Sequence, residues 1–156
     1  MSIARTILAA TALAAFATPT LAQDFNADPN FGTVNLTTGF QPDPHVVDVR
    51  SGGDLDAARL GANCVGFITN APDVRLVFDA GNLPLIISVA SRADTTLVVN
   101  APDGNYYCND DGGTGGLNPM VRFTRPQSGR YEIWIGTYGN QTRQPAQLNI
   151  SELYSQ

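Results

Sequence analysis

The sequence predicts an all-β protein, an antiparallel β-sandwich of about 8–10 strands with at most one short helical turn. Three observations predict it. Short apolar runs recur along the chain and are cut by Asp, Asn, Gly and Pro, as in "PLIISVASRADTTLVVNAPDGNYYCNDDGG" from Pro84 and "VRFTRPQSGRYEIWIGTYG" from Val121. Several runs alternate with period two: Val74, Leu76 and Phe78 against Arg75 and Asp79, Tyr131, Ile133 and Ile135 against Glu132, and Leu148 and Ile150 against Gln147 and Asn149. That alternation is the mark of a strand with one buried face. Finally, only Asp54–Ala62 ("DLDAARLGA") has a helical look, with Asp54 or Asp56 as its cap and Gly61 as its stop.

Taken in chain order, the first element is a leader over residues 1–22. Arg5 precedes an apolar run from Ile7 to Phe16, and the small residues Thr20 and Ala22 precede a polar "QDF". This is the pattern of a secretory signal peptide cleaved after Ala22, and the apolar run is too short to span a bilayer. Residues 23–32 lack periodicity and read as a flexible arm. One sandwich domain follows over 33–156, with strands beginning near Val34, Val46, Val65, Val74, Leu85, Thr96, Tyr106, Val121, Tyr131 and Gln147. Asn-Ala-Pro-Asp occurs twice, at Asn70–Asp73 and Asn100–Asp103. Proline presets φ for a turn and Asn and Asp bond nearby amides, so each copy reads as a hairpin connection.

Charge and cysteine content bound the function. The chain has 9 basic residues, all arginine, against 14 Asp and Glu, for a net charge of −5. An acidic, lysine-free surface argues against nucleic acid or anionic lipid as partner, because both need clustered positive charge. Cys64 and Cys108 are an even pair in a chain bound for an oxidising compartment, and are expected to be bonded to each other. Closing that loop is worth about 4 kcal/mol in the chain-entropy account. A redox or metal-thiolate role is disfavoured by the absence of Cys-x-x-Cys and of a neighbouring His.

The order of an apolar strand, Asp94 before "TTLVV", the "APDGNYYCNDDGG" turn and acidic loop, and then "SGRYEIWIGTYG" resembles the bacterial pre-peptidase C-terminal domain. The resemblance covers His45 to Glu152 and is specific from Pro84 to Gly139. It implies a jelly-roll-like β-sandwich of the kind appended to secreted peptidases and other exported hydrolases, where it assists secretion, localisation or substrate binding, and some such domains bind calcium. This sequence departs from the pattern: it holds no recognisable catalytic domain beside the module, and it carries a cysteine pair that many such domains lack.

Candidate sites follow from residue chemistry. No catalytic set is legible: the only histidine, His45, has no serine in a nucleophile context to serve, so peptidase activity is not expected. Asn109, Asp110 and Asp111 follow Cys108 and lead into Gly112, Gly113, Gly115 and Gly116, which let oxygen ligands converge; with Asp103 or Asp94 they form a candidate calcium shell, although the spacing matches no known calcium loop. Tyr106, Tyr107 and Tyr138 form a candidate platform for a sugar ring or peptide, while Trp134, inside a strand, is expected to pack over the core or the disulfide. The expectation is therefore an exported, non-catalytic binding module, stabilised by calcium if the acidic loop holds an ion, whose partner is a protein, peptide or glycan of the periplasm or medium. The alternatives are a small secreted serine-peptidase-type hydrolase and a structural envelope protein.

Overall fold

The computed structural model describes residues 23–156, so the leader read over 1–22 lies outside the described residues. The described chain is an all-β sandwich of a 7-stranded and a 4-stranded sheet. In chain order the strands are β1 (Thr33–Thr37), β2 (His45–Ser51), β3 (Leu55–Asp56), β4 (Phe67–Ile68), β5 (Val74–Asp79), β6 (Leu85–Ser91), β7 (Thr95–Asn100), β8 (Tyr106–Asn109), β9 (Met120–Phe123), β10 (Gly129–Thr137) and β11 (Gln144–Ser151). The strand total exceeds the expected 8–10 because the segment read as helical opens with β3, only two residues long. Its remainder is a single 3-10 turn, Ala57–Leu60, capped by the Asp56 carboxylate, which accepts from the Ala58 amide.

The smaller sheet runs β2-β11-β6-β9 and is antiparallel throughout. In the larger sheet, β10 is the central strand. β7 pairs with it over Glu132–Thr137 and carries β8 on its far side. Along the other edge of β10 lie β5, opposite Gly129–Ile133, and β4, opposite Thr137. β1 joins β5 parallel, in register from Thr33↔Arg75 to Thr37↔Asp79. This is a parallel pair within the otherwise antiparallel sandwich expected from the sequence. Residues 30–32 come in alongside the segment that leads into β5, with Asn30 and Phe31 amides donating to the Pro72 and Asp73 carbonyls, so β1 continues in the direction of β5.

Two faces of the larger sheet are buried for different reasons. The inner face follows the period-two pattern: Leu76, Phe78, Leu97, Val99, Tyr131, Ile133 and Ile135 meet Leu85, Ile87, Val89, Leu148 and Ile150 of the smaller sheet in the main core. The outer face should be wet by the same pattern, yet Trp134 and Val98 are fully buried there. They are covered by the flap of residues 55–64, which contributes Leu55, Ala57, Leu60 and Cys64 to a second apolar cluster that Ile68, Tyr106 and Cys108 complete. The arm of residues 23–32 crosses the same outer face further along β10, where Arg75 donates to the Phe25 and Ala27 carbonyls.

The two Asn-Ala-Pro-Asp copies resolve differently. Asn100–Asp103 is the expected hairpin turn between β7 and β8, closed by Ala101 amide to Asn105 carbonyl at 3.0 Å. Asn70–Asp73 is not a hairpin. β4 and β5 do not pair with each other; they lie end to end on one edge of β10, and residues 69–73 bridge the gap between them. In that gap the Asp73 carboxylate accepts the Ile135 amide at 2.8 Å, filling the place of the strand carbonyl that the interruption removes.

Candidate functional site

The β7–β8 hairpin carries most of the residues singled out in the sequence, and strand alternation separates them. Tyr106 points to the outer face, where its ring lies 6.4 Å from that of Trp134. Tyr107 points to the opposite face and packs edge-on against Phe123 at 4.9 Å, which in turn packs on Tyr131 at 5.3 Å. Tyr138 follows β10, 48% exposed, with its amide on the Asp94 carbonyl. The three tyrosines therefore form no common platform. Adjacent residues of one strand point to opposite faces, a rule that already separated Tyr106 from Tyr107 in the sequence.

The candidate calcium ligands are likewise divided by the hairpin. Asp103 lies in the turn, where it accepts from the Asn105 amide and from the Tyr107 hydroxyl at 2.7 Å; that hydroxyl holds the Asp103 carboxyl below its ordinary range. Asp94, Asp110 and Asp111 are at the other end. Burial, and then the charges of Asp111 and Asp110, raise the Asp94 carboxyl above its ordinary range. Among the described residues no group of three His, Cys, Asp or Glu side chains is placed to hold a metal ion. Asn109 is occupied elsewhere: its Oδ1 accepts from the Gly112 amide at 2.6 Å and the Met120 amide at 2.9 Å. Gly113 serves packing, while Gly116 supplies a positive φ of 74°. A Cβ on Gly113 would lie 2.8 Å from the carbonyl oxygens of Asn118 and Gln156, because the loop is tied down by Gly113 amide to Asn118 carbonyl and Thr114 amide to Gln156 carbonyl.

What the hairpin does present is an open strand edge. Ala101 and Asn105 are a directly opposed, hydrogen-bonded pair. In an antiparallel ladder such pairs alternate, so Val99/Tyr107 and Leu97/Asn109 are bonded while Tyr106 and Cys108 turn their N–H and C=O groups away from β7. Among the described residues β8 has no strand partner on that side. By the same parity, with Val89 amide on the Pro119 carbonyl, β9 turns the backbone groups of Met120 and Arg122 outward from the edge of the other sheet. Asn109 spans the two edges through its bond to Met120.

Between these edges lies a cleft of about 370 Å³, lined by Asn63, Cys64, Tyr106, Cys108, Asn109 and Met120 among others. Its wall is the flap, fixed there by the Cys64–Cys108 disulfide, so the cysteine pair joins a loop to a strand edge. The disulfide pairing agrees with the sequence reading. The open edge had no signal in the sequence, since no local pattern says which side of a strand will find a neighbour.

His45 opens β2 opposite Ile150, with no serine or carboxylate hydrogen-bonded to its ring among the described residues. Asp73 is fully buried and accepts from Asn30, Thr69 and Ile135; burial pushes its carboxyl up to about 6 against the pull of those bonds and of Arg143. Glu132, 1% exposed, takes Arg75 and Arg130 on one oxygen.

No family model and no curated protein match this chain. Among solved structures it is similar to PliG of Aeromonas hydrophila, a periplasmic lysozyme inhibitor of g-type lysozyme, at 15% identity and a TM-score of 0.40, over 80% of this chain and 98% of that one. A likeness that loose assigns neither fold nor function here. The resemblance of Pro84–Gly139 to the pre-peptidase C-terminal domain rests on its residues alone.

Proposed function

We propose that this chain is an exported, non-catalytic module that binds an extended segment of a protein partner along the free edge of β8. The observation that carries the reading is the pair of unpartnered backbone positions, Tyr106 and Cys108, facing a cleft walled by a disulfide-pinned flap. Unpaired strand edges are templates for another strand, and folded proteins ordinarily blunt or cover them. A peptide added there gains main-chain hydrogen bonds from β8, while the uncharged cleft sorts its side chains. Export is supported by the leader, read as cleaved after Ala22, and by a disulfide of the kind that persists in oxidising compartments. A non-catalytic role is supported by the three buried carboxylates among the described residues, Asp73, Glu132 and Glu152, each of which is spent on structural contacts: with strands and the arm, with Arg75 and Arg130, and with Thr38 and the Gly39 amide.

The test is site-specific photo-crosslinking in the native envelope. A photoreactive residue replaces Asn63, which lines the cleft, or Arg122, adjacent in the chain to its lining residue Val121, and in parallel Val46 or Val77, which are exposed on strands distant from it, β2 at the opposite edge of the smaller sheet and β5 of the larger. Protein adducts at positions 63 and 122 alone are expected. Adducts only at 46 or 77, or at no position, would overturn the reading.

A further inference from the structure

A second pocket, of about 240 Å³, lies on the outer face where the arm meets the flap; Gln23, Phe25, Leu55, Leu60, Ile68 and Tyr106 line it together with the charged Asp56 and Arg59. Both polar atoms of the Gln23 side chain, Oε1 and Nε2, are buried there without a hydrogen-bond partner. An unpaired buried amide is costly, and four of the seven other lining side chains, Phe25, Leu55, Leu60 and Ile68, are wholly apolar. Gln23 is also the residue that cleavage after Ala22 would leave first in the chain, as Proposed function has it.

We propose that Gln23 is converted to 5-oxoproline in the mature protein and that the lactam occupies this pocket. The proposal rests on that cleavage reading. The α-amine freed by cleavage attacks the side-chain carbonyl carbon Cδ; the new Cδ–N bond closes a five-membered ring, the Cδ–Nε2 bond breaks, and ammonia leaves. No oxidant or cofactor enters. Two consequences fit the pocket. The reaction removes the α-ammonium charge, which would otherwise stand a few bonds from the apolar side chains of Leu55, Leu60 and Ile68. It also reduces the polar inventory from an ammonium and a primary amide to one N–H and one C=O, so fewer groups are left to satisfy in the pocket. The compact ring keeps its methylenes against Leu55, Leu60 and Ile68.

The experiment is mass spectrometry of the protein purified from its native envelope, with a synthetic peptide of the same first residues carried through the same handling. The expected N-terminal peptide starts at position 23 and is lighter than its encoded mass by one ammonia, to a far greater extent than the control peptide. Pyroglutamyl aminopeptidase should remove the residue only after unfolding, since the ring is buried in the native state. A peptide that starts at position 23 with a free amine, or one cyclised no more than the control, overturns the proposal and leaves the cleavage reading standing. A start elsewhere overturns both. Ready removal from the folded protein places the ring outside the pocket and overturns its burial.

Discussion

Arg75 and Glu132 stand directly opposite each other on β5 and β10, with the guanidinium Nε 2.6 Å from the carboxylate Oε1. The same oxygen takes Arg130 at 2.9 Å, and the far end of Arg75 donates to the Phe25 and Ala27 carbonyls. Arg130 reaches the Asn26 side chain. One buried carboxylate thus holds two arginines, and the arginines hold the arm against the outer face of the sheet.

Removing that carboxylate leaves two cations without their counter-charge. Glu132→Ala is expected to cost about 3 kcal/mol in urea denaturation, toward the lower end for a broken buried pair because Arg130 is partly in water. Glu132→Gln, which retains an acceptor, should cost less. Hydrogen exchange at the Asn30 and Phe31 amides should quicken in Glu132→Ala, since the arm loses its anchor; unchanged exchange there would mean that the arm is held by its backbone bonds alone.

Asp73 makes stability depend on pH in an unusual sense for a carboxylate. Its folded value of about 6 lies above the ordinary value of 3.8, so the native state holds the proton more tightly than the unfolded chain between those limits. The contribution is fully present below the lower value and is lost as pH rises through the upper one, a change of roughly 3 kcal/mol. Asp73→Asn, uncharged throughout, should flatten the stability profile between pH 4 and 6 relative to wild type. The lowered Asp103 carboxyl contributes with the opposite sign and is common to both proteins, so it cancels in the comparison. Parallel profiles would show that Asp73 does not titrate in that window.

The flap depends on its disulfide. Replacing Cys64 and Cys108 together by Ala should lower stability by about 4 kcal/mol on the chain-entropy account for a sequence separation of 44. Trp134, the single tryptophan and fully buried beneath the flap, reports the local consequence. Its emission should be blue-shifted and resistant to acrylamide in the oxidised protein. In the double variant, under conditions where the main core stays folded, it should shift to the red and become quenchable. A Trp134 signal insensitive to the substitution would mean that packing of Leu55, Leu60 and Ile68 alone keeps the cluster closed.

Asn109 staples the edges of the two sheets. Asn109→Ala leaves the Gly112 and Met120 amides without their acceptor and is expected to cost about 1–3 kcal/mol. Faster hydrogen exchange at Met120, with β7 and β10 unaffected, would locate the loss at the open end of the sandwich. Equal loss of protection throughout would instead assign Asn109 to the global core.

Much of the strand framework was legible because its cause is local. Alternation in Val74–Phe78, Tyr131–Ile135 and Leu148–Ile150 fixes which side chains seek the core, and all three segments occupy strands with those residues inward. Asp56 as a cap and Asn100–Asp103 as a hairpin turn are also short-range chemistry, and an even cysteine pair left one pairing to make. The remainder is decided by segments far apart in sequence. Nothing near Trp134 or Glu132 announces that a flap and an arm will bury the outward face of β10, so the alternating pattern reads as half-wet where it is covered twice. Asn70–Asp73 has the same four residues as a hairpin turn, yet the long β10 offers one edge to both β4 and β5, and Asp73 is drawn into the gap between them. The free edge of β8 belongs to the same class: hydrogen-bond parity points Tyr106 and Cys108 outward, but only the arrangement of the two sheets leaves no described strand there to meet them.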